Sequence, residues 1–414
     1  MEGGGRADDG RPAPGRAVLD GVPGRRGVVR VGFEFATATR VVFGPGTVTS
    51  AGRIAASLGT RAFVVTGRSP ARAGPLLAAL DAAGVGHVTF AVPGEPTIGL
   101  ARDATGAARE AGCDVVIGFG GGSAIDAGKA VAALVTNGGD PLDYLEVVGA
   151  GRPIRVAPLP LVAIPTTAGT GSEVTRNAVL SSPDHRVKAS LRSPRLLPMV
   201  AIVDPDLTLG LPPDATAWTG LDALTQLVEP YVGIRANPMT DALCRVGMIR
   251  VARSLRRVCE APDDAAARED MALASLFGGM ALANASLGAV HGFAAEIGGL
   301  CGAPHGAVCA RLLAPVMEAN LRAIEARGGG TETLHRYEEI GRVLTGRPDA
   351  MADDGVAWAD DLCQSLRVPT LSAWGLGRSD FPRVVADAAN ASSMKGNPVS
   401  LTAEEMTEVL RQAL

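Results

Sequence analysis

A chain of 414 residues is long for a single hydrophobic core, so two domains are expected. Hydrophobic residues make up 47% of it, yet no apolar run approaches the roughly 20 residues that span a membrane. A net charge of −4, with lysine only at Lys129, Lys188 and Lys395, gives no basis for nucleic-acid binding. The six cysteines contain no C-x-x-C pair and read as reduced thiols in a cytoplasmic protein.

Residues 1–31 are rich in Gly, Arg, Pro and Asp without apolar periodicity, which predicts a disordered tail rather than a secretory signal. Strands and helices then alternate. Residues 40–43 read as a strand before a Gly-Pro-Gly turn, and 48–58 as a helix. Residues 62–66 form a second strand ending at Gly67-Arg68-Ser69; 75–83 is helical, 87–92 a strand and 98–112 helical. Such alternation implies parallel pairing through right-handed crossovers, with ligands beyond the carboxyl ends of the strands.

Val115 to Phe119 is a buried strand that runs into Gly120, Gly121 and Gly122, with Ser123 as the expected N-cap of the next helix. A strand, a glycine turn and a helix N-terminus make an anion site: free amides point outward, and missing β-carbons let a phosphate approach. The spacing is neither G-x-x-x-x-G-K-[ST] nor G-x-G-x-x-G. Leu161 to Pro165 is another buried strand, running into Thr166, Thr167 and a small-residue loop. After a β-rich piece at 199–204, Pro212-Pro213-Asp214 opens the first long helix, and the pattern stays helical to Leu414. The expected fold is an α/β N-terminal dinucleotide-binding domain with a parallel sheet, residues 32–210, plus an all-helical C-terminal domain, 211–414.

Asp222 and Gln226 lie four apart on an otherwise apolar helix face, where a carboxylate needs a partner or a metal. Two of the five histidines, His291 and His305, fall close together on a small-residue helix and at a helix start. Two imidazoles and a carboxylate make a divalent-metal set with room for a substrate oxygen. Cys301 and Cys309 flank His305 but sit among small apolar residues, which favours packing thiols over ligands. His87, His185 and His335 read as structural or solvent-facing.

Four segments together resemble the iron-containing (group III) alcohol dehydrogenases of the dehydroquinate synthase-like superfamily: Gly120-Gly-Gly-Ser-Ala-Ile-Asp126-Ala-Gly-Lys129, Pro165-Thr-Thr-Ala-Gly-Thr-Gly-Ser-Glu-Val-Thr175, Gly220-Leu-Asp-Ala-Leu-Thr225, and His291 with Pro304-His305-Gly306. The resemblance spans residues 32–414 and implies a metal and nicotinamide site between the two domains. It implies that Gly120 to Ser123 hold the pyrophosphate, with Asp126 also on the cofactor side. Thr166 and Thr167 would line the adenosine or diphosphate, Lys188 would reach the ribose, and Asp222, His291 and His305 would ligate the metal and serve catalysis. Two departures stand out. Gln226 and Ala295 occupy positions where the family usually has histidines, so Gln226 is a weak fourth donor at best and zinc, as in the glycerol dehydrogenase branch, competes with iron.

The activity implied is NAD(P)H-linked interconversion of a small alcohol and aldehyde, dependent on Fe2+ or Zn2+, in a homodimeric enzyme without nucleic-acid or membrane partners. Rival readings are a maleylacetate reductase, a dehydroquinate-synthase-like lyase, and a binding protein with a degenerate metal site. Three lysines argue against the lyase, which needs several cations for a phosphorylated substrate. The turn Gly67-Arg68-Ser69 carries no carboxylate to repel a 2′-phosphate, and Arg68 and Ser69 suit one, which predicts that NADP(H) is accepted and favoured over NAD(H).

Overall fold

The computed structural model describes residues 32–185 and 187–414, so the expected tail over 1–31 lies outside the described residues. Strands β1 (Arg40–Phe43), β2 (Arg61–Thr66), β3 (Gly86–Ala91), β4 (Val115–Gly120), β5 (Leu161–Pro165), β6 (Asn177–Ser182), β7 (Val187–Arg192) and β8 (Val200–Val203) fall in the N-terminal half. Six of them make an all-parallel sheet in the order β1-β8-β5-β4-β2-β3. Phe63, Val64 and Val65 are fully buried in succession, as are Val115, Val116 and Ile117, because both faces of the sheet are covered.

The covering follows from the alternation of side chains. Val64, Ile117, Ile164 and Ile202 pack on one face with α1 (Ala51–Ala56) and α2 (Gly74–Ala82). Phe63, Val65 and Val116 pack on the other with α3 (Ile98–Glu110) and α4 (Gly122–Asn137). The helices after β2 and β4 therefore leave on opposite faces, which opens a crevice between the carboxyl ends of those neighbouring strands.

Helix α4 starts two residues earlier than expected. Gly121 holds the N-cap position, and Ser123 is the second helical residue. A short α5 (Pro141–Tyr144) follows, capped by Asp140. The antiparallel β6–β7 hairpin was not anticipated by the sequence pattern.

From Pro213 onward the described residues are helical: α6 (Pro213–Val232), α7 (Pro238–Glu260), α8 (Ala265–Ala285), α9 (Ala289–Cys301), α10 (His305–Arg327), α11 (Thr331–Thr345), α12 (Ala352–Ser365), α13 (Phe381–Asn390) and α14 (Ala403–Ala413). Leu224, Tyr231, Met248, Phe293, Leu312 and Ile340 belong to their shared core. A 100° bend separates α8 from α9, with Ser286 at φ 70° in the break. No single helix among the described residues is long and apolar enough to cross a membrane. Residues Glu34–Leu414 form one compact unit.

Candidate active site and metal centre

Three neighbouring strand ends build the expected cofactor edge. Gly67 follows β2, Gly121 follows β4 and Thr166 follows β5, where its amide donates to Gly120 O at 2.9 Å. A β-carbon on Gly120 would lie 3.2 Å from Gly67 N, so these two loops run side by side. One on Gly121 would lie 3.3 Å from Thr167 Oγ1, and one on Gly122 only 2.8 Å from Thr170 Oγ1. The helix start has no side-chain cap, and its two glycines pack closely against Thr167 and Thr170. Such a cradle fits a pyrophosphate.

Other expected cofactor residues have protein partners. Arg68 Nε donates to Pro93 O at 3.0 Å, and Ser69 stands exposed before a short 3-10 turn. Lys188 Nζ pairs with Glu95 Oε1 at 2.6 Å and lies against Gly298 of α9. Both Asp126 oxygens are taken, one by Ser172 Oγ and one by Val179 N, so this carboxylate braces the loop and the hairpin from behind.

The same loop reaches the helical half. Gly169 abuts Thr219, one turn before Asp222 on α6, and Gly171 abuts Gly279 on α8. Beyond that contact, α6, α9 and α10 bring Asp222, His291 and His305 together, with Cys309 of α10 beside them. His291 Nε2 is 3.3 Å from Asp222 Oδ1, and His305 Nε2 is 3.9 Å from the same oxygen. Cys309 Sγ is 3.8 Å from His291 Nε2 and 3.6 Å from His305 Nε2.

Local sequence explains each placement. Gly288 breaks the chain ahead of α9, where Glu229 of α6 accepts the Val290 amide through Oε1 at 2.7 Å and His291 Nδ1 through Oε2 at 2.6 Å. That carboxylate satisfies a first-turn amide of α9 and fixes the imidazole with Nε2 toward the cluster. Pro304 precedes α10, so His305 opens the helix and Cys309 follows one turn later on the same face.

Two buried oxygens in this cluster, Asp222 Oδ1 and Gln226 Oε1, have no hydrogen-bond partner. Burial works to raise the Asp222 carboxyl, but the His305 and His291 rings outweigh it and hold it below the usual carboxylate range. Burial opposes charge on His291, yet Cys309, Glu229 and Asp222 raise it well above an ordinary imidazole. A buried, unpartnered carboxylate oxygen beside two imidazoles has the donor chemistry of a divalent-metal site.

Comparison with known proteins agrees with this geometry. Residues 38–205 match the family model "Iron-containing alcohol dehydrogenase", and residues 216–414 match "Fe-containing alcohol dehydrogenase family, C-terminal". The chain belongs to the iron-containing alcohol dehydrogenases. It is 37% identical to alcohol dehydrogenase 4 of Schizosaccharomyces pombe over 79% of this chain and 75% of that protein. Identity with 1,3-propanediol dehydrogenase of Citrobacter freundii is 35%, over 92% and 98% of the two chains. The solved structure of a 1,3-propanediol oxidoreductase superposes with a TM-score of 0.86 at 33% identity, covering 93% of this chain and all of that one.

As a member of this family the protein is an oxidoreductase acting on CH–OH groups with a nicotinamide cofactor. Sequence reasoning found three members of its cluster and missed two residues. Cys309 reads from the sequence as a packing thiol, yet its spacing of four from His305 places both on one helix face. Glu229 was given no role, although it continues the Asp222–Gln226 face by another turn.

Proposed function

We propose that this dehydrogenase interconverts a small alcohol and its aldehyde at a metal held by Asp222, His291 and His305, with the dinucleotide laid along Gly67 to Ser69, Gly120 to Ser123, Thr166 and Thr167. The observation that carries the reading is the buried, partnerless Asp222 Oδ1, which lies 3.3 Å and 3.9 Å from the Nε2 atoms of His291 and His305. When bound, the metal supplies Lewis acidity to a carbonyl or alkoxide oxygen, and the nicotinamide supplies or takes the hydride. Asp222 contributes the negative charge, and Glu229 keeps His291 Nδ1 occupied so that Nε2 faces the site. Gln226, one turn after Asp222 on α6, offers a buried amide oxygen as a neutral donor. Lys188, from the hairpin lying against α9, is the cation for the cofactor ribose, and Asp126 holds the cofactor loop in place. The residue ranges 32–210 and 211–414 divide these cofactor and metal roles.

NADP(H) is the favoured cofactor on this reading, supported by the carboxylate-free Gly67–Ser69 turn and by Arg68 held at its mouth. Zinc competes with iron because Gln226 replaces an imidazole. A reduced, cytoplasmic setting is supported by six free cysteines. The homodimer, which rests on the resemblance alone, is read from sedimentation. One experiment tests the centre: bound metal and aldehyde reduction with NADPH and NADH are measured for the parent and His291→Ala. The parent should carry about one metal per chain and prefer NADPH, and the variant should lose metal and turnover together. A metal-loaded, active His291→Ala would overturn the assignment.

A further inference from the structure

We propose that Cys309 Sγ is itself a metal ligand, so that a thiolate, rather than the amide of Gln226, is the fourth protein donor beside Asp222, His291 and His305. The inference rests on the metal site proposed above and concerns which atoms complete it.

Distances carry it first. In a tetrahedral shell with bonds of about 2.0–2.1 Å to nitrogen or oxygen and about 2.3 Å to sulfur, N/O donors stand about 3.3 Å apart, and sulfur stands about 3.6 Å from them. Here Sγ is 3.6 Å and 3.8 Å from the two imidazole Nε2 atoms, and Asp222 Oδ1 is 3.3 Å and 3.9 Å from the same nitrogens. All four donor atoms lie within 4.8 Å of one another. The side chains are already spaced as ligands of one ion.

Hydrogen bonding does not account for the arrangement equally well. A thiol has one proton and can serve only one of the two imidazoles that flank it. His291 Nδ1 is committed to Glu229, so its Nε2 must find its partner inside the cluster. Asp222 Oδ1, almost wholly buried, has no hydrogen-bond partner and faces the same space. A cation among these atoms satisfies all four, and coordination releases the thiol proton to solvent.

Gln226 then has a different use. It lies one turn after Asp222 on the same face of α6, which makes it a positioning group beside that carboxylate. A sulfur donor also moves the preference of the site from iron(II) toward zinc or cobalt(II).

The test uses the full-length protein, stripped with chelator and reloaded with cobalt(II) alone. Thiolate ligation should give an intense near-ultraviolet sulfur-to-cobalt charge-transfer band beside the weaker visible bands of tetrahedral cobalt. Cys309→Ser should lose the charge-transfer band, keep visible bands, and bind cobalt at least about tenfold more weakly, which corresponds to about 1.4 kcal/mol. Cys301→Ser should keep the full spectrum. Cobalt bound by the parent without a charge-transfer band, or a band that survives in Cys309→Ser, overturns the role of Cys309 while the rest of the site stands. If the parent binds no cobalt tightly, or Asp222→Ala binds it as well as the parent, the metal site itself is wrong.

Discussion

At the residue scale, the centre depends on Glu229, which touches none of the reacting atoms. One oxygen accepts the Val290 amide and the other accepts His291 Nδ1. Replacing it by glutamine keeps the shape but removes the charge and lets the amide present a donor where an acceptor is needed. Glu229→Gln should weaken metal binding by about ten- to a hundredfold, as outer-shell partners of a ligating histidine do. Chelator competition reads this directly, and an unchanged affinity would show that the imidazole needs no such support. Asp222, His291 and His305 were legible in the sequence because a charged or polar residue on an apolar helix demands an explanation. Cys309 was not, because a thiol among alanines looks like a small hydrophobe and its partners arrive from two other helices.

At the scale of elements, the sheet was legible because runs such as Val115 to Phe119 are apolar on both faces, which only a covered parallel strand needs. The β6–β7 hairpin was not. Asn177–Ser182 and Val187–Arg192 are mostly small or polar, and their pairing is supported from outside by Asp126, which accepts the Val179 amide. The contact between the threonine loop after β5 and the helices was equally hidden, because it is made by two glycines. A β-carbon on Gly279 would lie 2.4 Å from Gly171 O and 2.7 Å from Gly171 Cα. Gly171 itself sits at φ 57°, so the loop cannot easily yield. Gly279→Ala should therefore push the loop carrying Thr166, Thr167 and Thr170 off α8. The expected result is a loss of about 1–3 kcal/mol on denaturation and a raised KM for the cofactor. Gly106, in the middle of α3 with open space around it, provides the contrast: Gly106→Ala should be neutral or stabilising by up to about 1 kcal/mol. Equal effects of the two substitutions would mean that helix propensity, not the loop contact, decides.

At the scale of the whole molecule, a buried polar network holds the loop, α4 and the hairpin to one another. Lys129 is fully buried, and its Nζ donates to Ser172 Oγ, Thr175 Oγ1 and Asn177 O, each at 2.8 Å. Glu173 lies beside it, and burial pushes that carboxyl up to about 7, against the pull of its own backbone amide and of Lys129. In the unfolded chain the same carboxyl titrates near its ordinary value of about 4.3. Between these values the folded state holds a proton that the unfolded state has released, so stability falls as pH rises through this window and levels off above it. Glu173→Gln carries no such proton. Its stability relative to the parent should rise between about pH 4.5 and 7 by up to about 3 kcal/mol and then stay level. Denaturant midpoints measured across that range for both proteins give the difference. A gap that does not change with pH would place Glu173 in its ionised form throughout, stabilised by Lys129 strongly enough to overcome burial.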